Sequence, residues 1–206
     1  GYYSRVRNLQ KAAQGVMAQY GGEFPRELSA IRALPGIGDY TAGAIASICF
    51  EAPAAAVDGN VLRVILRLTA CAHSPADVRV RRRIGEELRA IYPSGHCGDF
   101  TQALMELGAT VCLPNGAPQC EVCPLRVLCE AHAQGTELQF PTKPPKKPRR
   151  IEQRTVFVLQ CGGRLAVCKR PARGLLAGLW QLPDVPGKLE TADALRQAEQ
   201  WGVHPT

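Results

Sequence analysis

The stretch Leu34-Pro35-Gly36-Ile37-Gly38-Asp39-Tyr40-Thr41-Ala42-Gly43 decides how this chain is read. Two glycines, Gly36 and Gly38, stand between helical segments, where they let the backbone turn sharply and bring bare N–H groups against a phosphate. The helix that follows adds its positive end at the same place. On Gly-x-Gly alone, a tight helix–helix turn and a phosphate grip explain the residues equally well. The full Leu-Pro-Gly-x-Gly pattern favours the grip.

Working outward, the flanking segments have helical spacing. Val6, Leu9, Ala13, Val16, Met17 and Tyr20 predict a helix over 5–20, stopped by Gly21-Gly22. Short helices are expected over 26–33 and 40–50, the second rich in Ala and Gly and so able to pack closely. After the turn Asp58-Gly59-Asn60, the residues Val61, Leu62, Ile65 and Leu68 mark another helix, and two more are expected over 78–91 and 99–107. No strand alternation precedes the cysteine-rich loop, so the first two-thirds reads as all-α. Pro141-Thr-Lys-Pro-Pro-Lys-Lys-Pro-Arg-Arg150 is a linker by composition, stiffened by proline and extended by like charges. Beyond it, Thr155–Leu159 and Leu165–Cys168 flank Gly162-Gly163 as a hairpin, the start of an α+β domain.

Composition bounds the function. The 206 residues carry 46% hydrophobic and 21% charged side chains, enough for one or two packed domains. The net charge of +7 suits a polyanionic partner, although many basic proteins bind nothing acidic. No apolar run approaches the roughly 20 residues of a membrane span, and no secretory leader opens the chain. It begins Gly1-Tyr2-Tyr3-Ser4-Arg5 without methionine, as a processed chain or a fragment would.

Two constellations could carry chemistry. Val57-Asp58-Gly59-Asn60-Val61-Leu62-Arg63 places an aspartate at the opening of a helix; in isolation such a residue is an N-cap, but here it follows the hairpin and can lie at the mouth of a cleft. Of nine cysteines, four crowd into one loop as Cys112-x7-Cys120-x2-Cys123-x5-Cys129. Clustering favours a metal over disulfides. Four thiolates suit an iron–sulfur cluster or tetrahedral zinc.

Taken together, these residues resemble the helix–hairpin–helix DNA glycosylases of the endonuclease III superfamily, and within it the MutY-type branch that excises adenine; Gly1–Arg5 and Arg7-Asn8-Leu9 match the segment before the hairpin. The implied fold is mainly α, a helix–hairpin–helix glycosylase domain with an iron–sulfur loop over 1–135, then a linker over 136–152 and the start of an α+β Nudix-like domain over 153–206. The resemblance implies a catalytic role for Asp58, with Tyr40 and Asn60 ordering the groups around the sugar. Tyr40 stands where bifunctional relatives carry a Schiff-base lysine, which implies a monofunctional enzyme; a tyrosine that merely packs beside the hairpin is the plainer reading. The DNA-binding residues implied are Gly36, Gly38, Tyr2 as a wedge in the base stack, and Gln102, whose amide offers adenine an acceptor and a donor side by side. An ordinary surface glutamine accounts for Gln102 equally well.

The resemblance also implies a [4Fe–4S] cluster on Cys112, Cys120, Cys123 and Cys129, although the first gap is one residue longer than the family's, around Asn115-Gly116. Arg126, between two of these cysteines, is a candidate phosphate contact or a solvated surface arginine. The implied partner is double-stranded DNA carrying adenine opposite 8-oxoguanine, bound by a monomer with no membrane attachment in a bacterial cytoplasm. The family's general-acid glutamate lies upstream of Gly1-Tyr-Tyr-Ser-Arg, and Glu23, Glu27 and Glu51 do not match it. This fragment is therefore expected to be a poor catalyst. Gly174-Leu-Leu-Ala-Gly-Leu-Trp-Gln-Leu-Pro183 carries the resemblance to the 8-oxoguanine-reading domain, and only Glu199 stands where a working Nudix helix is dense in glutamates, so this end is expected to recognise rather than hydrolyse. It too reads as truncated. Competing readings are a thymine-mismatch or endonuclease III-like pyrimidine glycosylase, and a non-catalytic DNA-binding module with a zinc loop. The arginines Arg79, Arg81, Arg82 and Arg83 fit any of these.

Overall fold

The computed structural model describes residues 3–142 and 148–204, so Tyr2 and the middle of the proline-rich linker lie outside the described residues. The chain divides into two compact units, Gly1–Pro145 and Lys146–Thr206. The first is helical throughout its described residues: α1 (Tyr3–Tyr20), α2 (Leu28–Ala33), α3 (Asp39–Phe50), α4 (Gly59–Leu68), α5 (Val78–Ala90), α6 (Cys97–Glu106) and the one-turn α7 (Glu130–Ala133). No helix among the described residues is long and apolar enough to cross a membrane.

Two apolar clusters organise this unit. Val61, Leu62 and Leu66 of α4 meet Val80, Ile84 and Leu88 of α5 and Leu104 of α6. Ile31 of α2 packs with Ala42 and Ala46 of α3 and with Ala54. The apolar stripe of α1 behaves differently, since Val6, Leu9 and Met17 are each more than two-thirds exposed. Periodicity alone marks that helix without naming what covers it.

Local chemistry sets the helix ends. α6 starts at Cys97, earlier than its apolar spacing suggests, because the Glu51 carboxylate reaches across to accept from the backbone N–H of Cys97 at 2.6 Å and of Gly98 at 3.3 Å. Glu51 itself ends α3 in the left-handed region, with φ 53°. The same two helices are stitched internally: Thr101 donates to Ser47 at 2.8 Å, and Ser47 to the carbonyl of Gly43 at 2.8 Å. α6 passes into a π-helical turn, Leu107–Val111, that leads to the cysteine loop.

The second unit is α+β. Gly162-Gly163 turns a hairpin, but between β2 (Gln160–Cys161) and β3 (Arg164–Leu165) rather than between the longer flanks that the sequence suggests. The earlier strand β1 (Arg154–Val156) pairs instead with the distant β6 (Asp184–Pro186), antiparallel, with Thr155 opposite Val185. β4 (Cys168–Lys169) pairs with β5 (Trp180–Gln181), and α8 (Thr191–Gln200) follows. A ring contact between Phe157 and Trp201, centroids 4.8 Å apart, joins the β1 end to the end of α8.

Gly43 sets how closely α3 approaches the loop before α4. A Cβ there would stand 2.3 Å from the carbonyl oxygen of Ala55 and 2.8 Å from its carbon, backbone atoms that cannot swing aside. Gly43→Ala is expected to cost about 2 kcal/mol or more of unfolding free energy, the overpacking range. A urea midpoint unchanged from the parent would show that the contact relaxes freely.

Candidate functional site

α2 ends at Ala33, and the chain turns through Leu34–Ile37, the Ile37 N–H bonding to the carbonyl of Leu34 at 3.2 Å. Gly36 has φ +80°, and a Cβ on it would lie 2.6 Å from Cβ of Asn8 in α1, so both backbone conformation and packing demand glycine. Gly38 is the N-cap of α3 in extended conformation, with no side-chain cap on the helix, and a Cβ on it would meet nothing within 4 Å. The first N–H groups of α3 are therefore left to an outside acceptor. Asp39, an exposed acid beside them, is neutralised by Arg32 at 2.6 Å.

Asp58 is the N-cap of α4. One of its oxygens accepts from the Val61 N–H at 2.8 Å and the other from the side-chain amide of Asn60 at 3.0 Å. The plain N-cap is thus present, with a second tether that no cap requires. The Asn60 carbonyl oxygen in turn accepts from the Arg63 guanidinium at 2.8 Å. Arg63 is buried and reaches the backbone carbonyls of Cys112 at 2.6 Å and Gly108 at 2.5 Å. Gly108 permits that approach, because a Cβ there would stand 2.6 Å from Cβ of Asn60. A continuous run of hydrogen bonds therefore joins Asp58, Asn60 and Arg63 to the first cysteine of the loop. Burial pulls the Arg63 guanidinium below its ordinary value; Cys112 opposes the shift, Arg67 adds to it and Asp58 opposes it.

Asn60 spends its amide on Asp58 and Arg63, which makes it a fixing group for the carboxylate. Tyr40, half-exposed near the start of α3, points its hydroxyl at the sulfur of Met105 in α6, 4.0 Å away. Gln102 is exposed on α6, its amide donating to the Gly98 carbonyl of its own helix at 3.4 Å. Among the described residues neither side chain bonds to Asp58. Arg126 is held by Glu121 at 2.5 Å and donates to His132 at 3.1 Å. On α5 and just before it, Arg79 pairs with Asp77, Arg82 with Glu86 and Arg83 with Glu87, so this basic run is largely an ion-paired, exposed surface.

The four cysteines line one small pocket floored by apolar residues such as Val64, Leu68 and Val111. All four are free thiols. Burial, then Glu137 and the three neighbouring sulfurs, push the Cys120 thiol up to about 11, and a cation bound there would release its proton. Cys120, His132 and Glu137 also offer three ligand atoms within 4.8 Å of one another. His132 and Glu137 are bonded to each other at 2.6 Å, a contact that holds the Glu137 carboxyl below its ordinary value. Four cysteines around one apolar-floored pocket fit a thiolate-held metal centre.

Sequence reading missed Arg63 and Arg67, both buried on α4. Their signal was two arginines one turn apart in an otherwise apolar helix, Gly59-Asn-Val-Leu-Arg-Val-Ile-Leu-Arg-Leu68.

No family model matches the chain. It is 40% identical to an adenine DNA glycosylase of Arabidopsis thaliana, over 96% of this chain and 33% of that protein. It is 34% identical to the adenine DNA glycosylase of Homo sapiens, over 98% of this chain and 46% of that protein. The chain thus spans about a third to a half of the length of these relatives. Among solved structures it is similar to a thermostable thymine-DNA glycosylase, with TM-score 0.57 and 35% identity over 63% of this chain and 59% of the other. It is also similar to endonuclease III in a non-covalent DNA complex, with TM-score 0.54 and 32% identity over 65% and 60%.

The cap and the charge of Asp58 can be separated. Asp58→Ala removes the acceptor for the Val61 N–H and is expected to cost about 1 kcal/mol of stability. Asp58→Asn keeps an acceptor for that bond and is expected to lose less, in spite of turning an NH2 group towards Asn60. Equal losses in chemical denaturation would show that the second tether, not the cap, dominates.

Proposed function

We propose that this chain, which belongs to the adenine DNA glycosylase family of helix–hairpin–helix proteins, serves an enzyme that removes adenine mispaired with 8-oxoguanine or guanine by hydrolysing the N-glycosidic bond. The observation that carries the reading is the Asp58 carboxylate, held at the head of α4 by the Val61 N–H and the Asn60 amide. A carboxylate fixed at both oxygens, with lone pairs to spare, is preorganised to stabilise a sugar cation as the base departs. The bare N–H groups behind Gly38 grip a DNA phosphate and set the register of the duplex. Adenine leaves after protonation at N7, and water completes the hydrolysis. Glu51 is committed to capping α6 and does not supply that proton.

Tyr40 orders the sugar, Gln102 reads the edge of the extruded adenine and Tyr2 enters the base stack. With tyrosine rather than lysine at position 40, no Schiff base forms and the enzyme is monofunctional. Cys112, Cys120, Cys123 and Cys129 hold a [4Fe–4S] cluster, which when bound supplies a rigid cross-link to the loop. The second unit is part of a Nudix-like domain that reads 8-oxoguanine, and the working form is a monomer on DNA. The adenine branch is favoured over the thymine and pyrimidine branches because the similarity to adenine DNA glycosylases runs through 96–98% of the chain, the second unit included.

Single-turnover release of adenine from duplexes with adenine opposite 8-oxoguanine, by the chain extended upstream to include the family's general-acid glutamate, tests the reading. Asp58→Asn is expected to slow it by roughly 100-fold or more, the size of a lost transition-state electrostatic contact. Release of thymine opposite guanine in its place, or activity indifferent to Asp58, would remove the branch or the mechanism. Gly38→Ala is expected to leave stability within about 0.5 kcal/mol of the parent and to weaken duplex binding by about tenfold, through one crowded phosphate contact. Equal binding in a fluorescence-anisotropy titration would sink the phosphate role of the hairpin.

A further inference from the structure

We propose that Arg67 is the internal counter-ion and the clasp of the metal centre; this rests on the reading that the four cysteines hold an iron–sulfur cluster. Arg67 is 4% exposed, nearer complete burial than any other charged side chain of the described core. Its Nε donates to the carbonyls of Glu137 and Phe140, each at 2.9 Å, and its Nη1 to the carbonyl of Leu113 at 2.9 Å and to the sulfur of Cys112 at 3.2 Å. Its own carbonyl accepts from the Cys129 thiol at 3.5 Å.

Two features follow from these partners. The first is mechanical: one planar guanidinium binds the chain at Leu113, just after the first cysteine, and at Glu137 and Phe140, beyond the last, so it ties together the segments that flank the loop. The second is electrostatic. Among the described residues no carboxylate pairs with Arg67, and the Glu137 carboxylate that lines the same pocket is bonded to His132. Carbonyl dipoles alone compensate a buried cation poorly. An iron–sulfur core on four thiolates carries net negative charge, and the one sulfur already at hydrogen-bond distance is a cluster ligand. Arg126, the other arginine of the cavity, is more exposed and is neutralised by Glu121, so it does not share the task. Hydrogen bonds and positive charge at the sulfurs stabilise the more reduced cluster.

The test compares the full chain with Arg67→Met, Arg67→Lys and a Cys112→Ser control. Iron and acid-labile sulfide are counted per chain, the one-electron potential is titrated with dithionite and ferricyanide through mediators, and the loss of the brown absorbance to a chelator is timed. Arg67→Met is expected to lose its cluster roughly tenfold faster, and the cluster that remains is expected to have a lower potential. Arg67→Lys, which keeps the charge but not the fork, should restore the potential towards the parent while the loss stays fast. A parent-like potential and loss rate in Arg67→Met would overturn the proposal and leave the cluster standing. A parent chain without iron or sulfide would overturn the cluster reading and the proposal with it. Should Arg67→Met not yield folded protein, Arg67→Lys decides alone, and a loss rate equal to the parent's overturns the clasp.

Discussion

Two guanidinium groups are buried inside the first unit with no carboxylate paired to them among the described residues, and the chain around α4 meets them with backbone carbonyls. Removing a cation from water is costly unless several dipoles or an anion replace the lost hydration. Arg63 finds the carbonyls of Gly108 and Cys112, and Arg67 those of Leu113, Glu137 and Phe140. These carbonyls belong to the π-helical turn after α6 and to the segments that open and close the cysteine loop. The loop takes its position from α4 rather than from its own sequence.

α4 therefore connects two sites. Its N-terminus holds Asp58 as cap, and its inner stripe holds the two arginines a turn apart. A disturbance at Cys112 reaches Arg63 through one carbonyl, Asn60 through one guanidinium bond and Asp58 through one amide bond. Each link is a short hydrogen bond in a partly or fully buried setting, where such bonds hold their geometry well. The orientation of the carboxylate and the path of the cysteine loop are consequently parts of one arrangement, in which the Cys112 carbonyl and the Asp58 carboxylate share a rigid helix between them.

How much of this was legible in the sequence depended on the range of the interaction. The helices followed from 3.6-residue spacing, and Asp58 and the cysteines from residue type at short separation. What could not be read was set by contacts between distant segments. The start of α6 depends on Glu51, far back at the end of α3. The pairing of β1 with β6 reaches across the four strands between them, so Thr155 lies opposite Val185 and not in an adjacent hairpin. Arg63 and Arg67 were passed over because arginine in a helix ordinarily faces water, and only the surrounding carbonyls show that these two face inward.

The hairpin glycines illustrate the same division between folding and function. Gly36 is explained completely by the fold: its positive φ and its closeness to Asn8 admit no side chain. Gly38 is not, for its backbone is one that any residue adopts, and a methyl group there would point into open space. The fold does not require glycine at position 38, where N–H groups without a side-chain cap emerge from α3. An oxygen-rich, negatively charged ligand meets those N–H groups best. The two glycines of one motif thus differ in kind, Gly36 required by the turn and Gly38 leaving the N-terminus of α3 uncrowded.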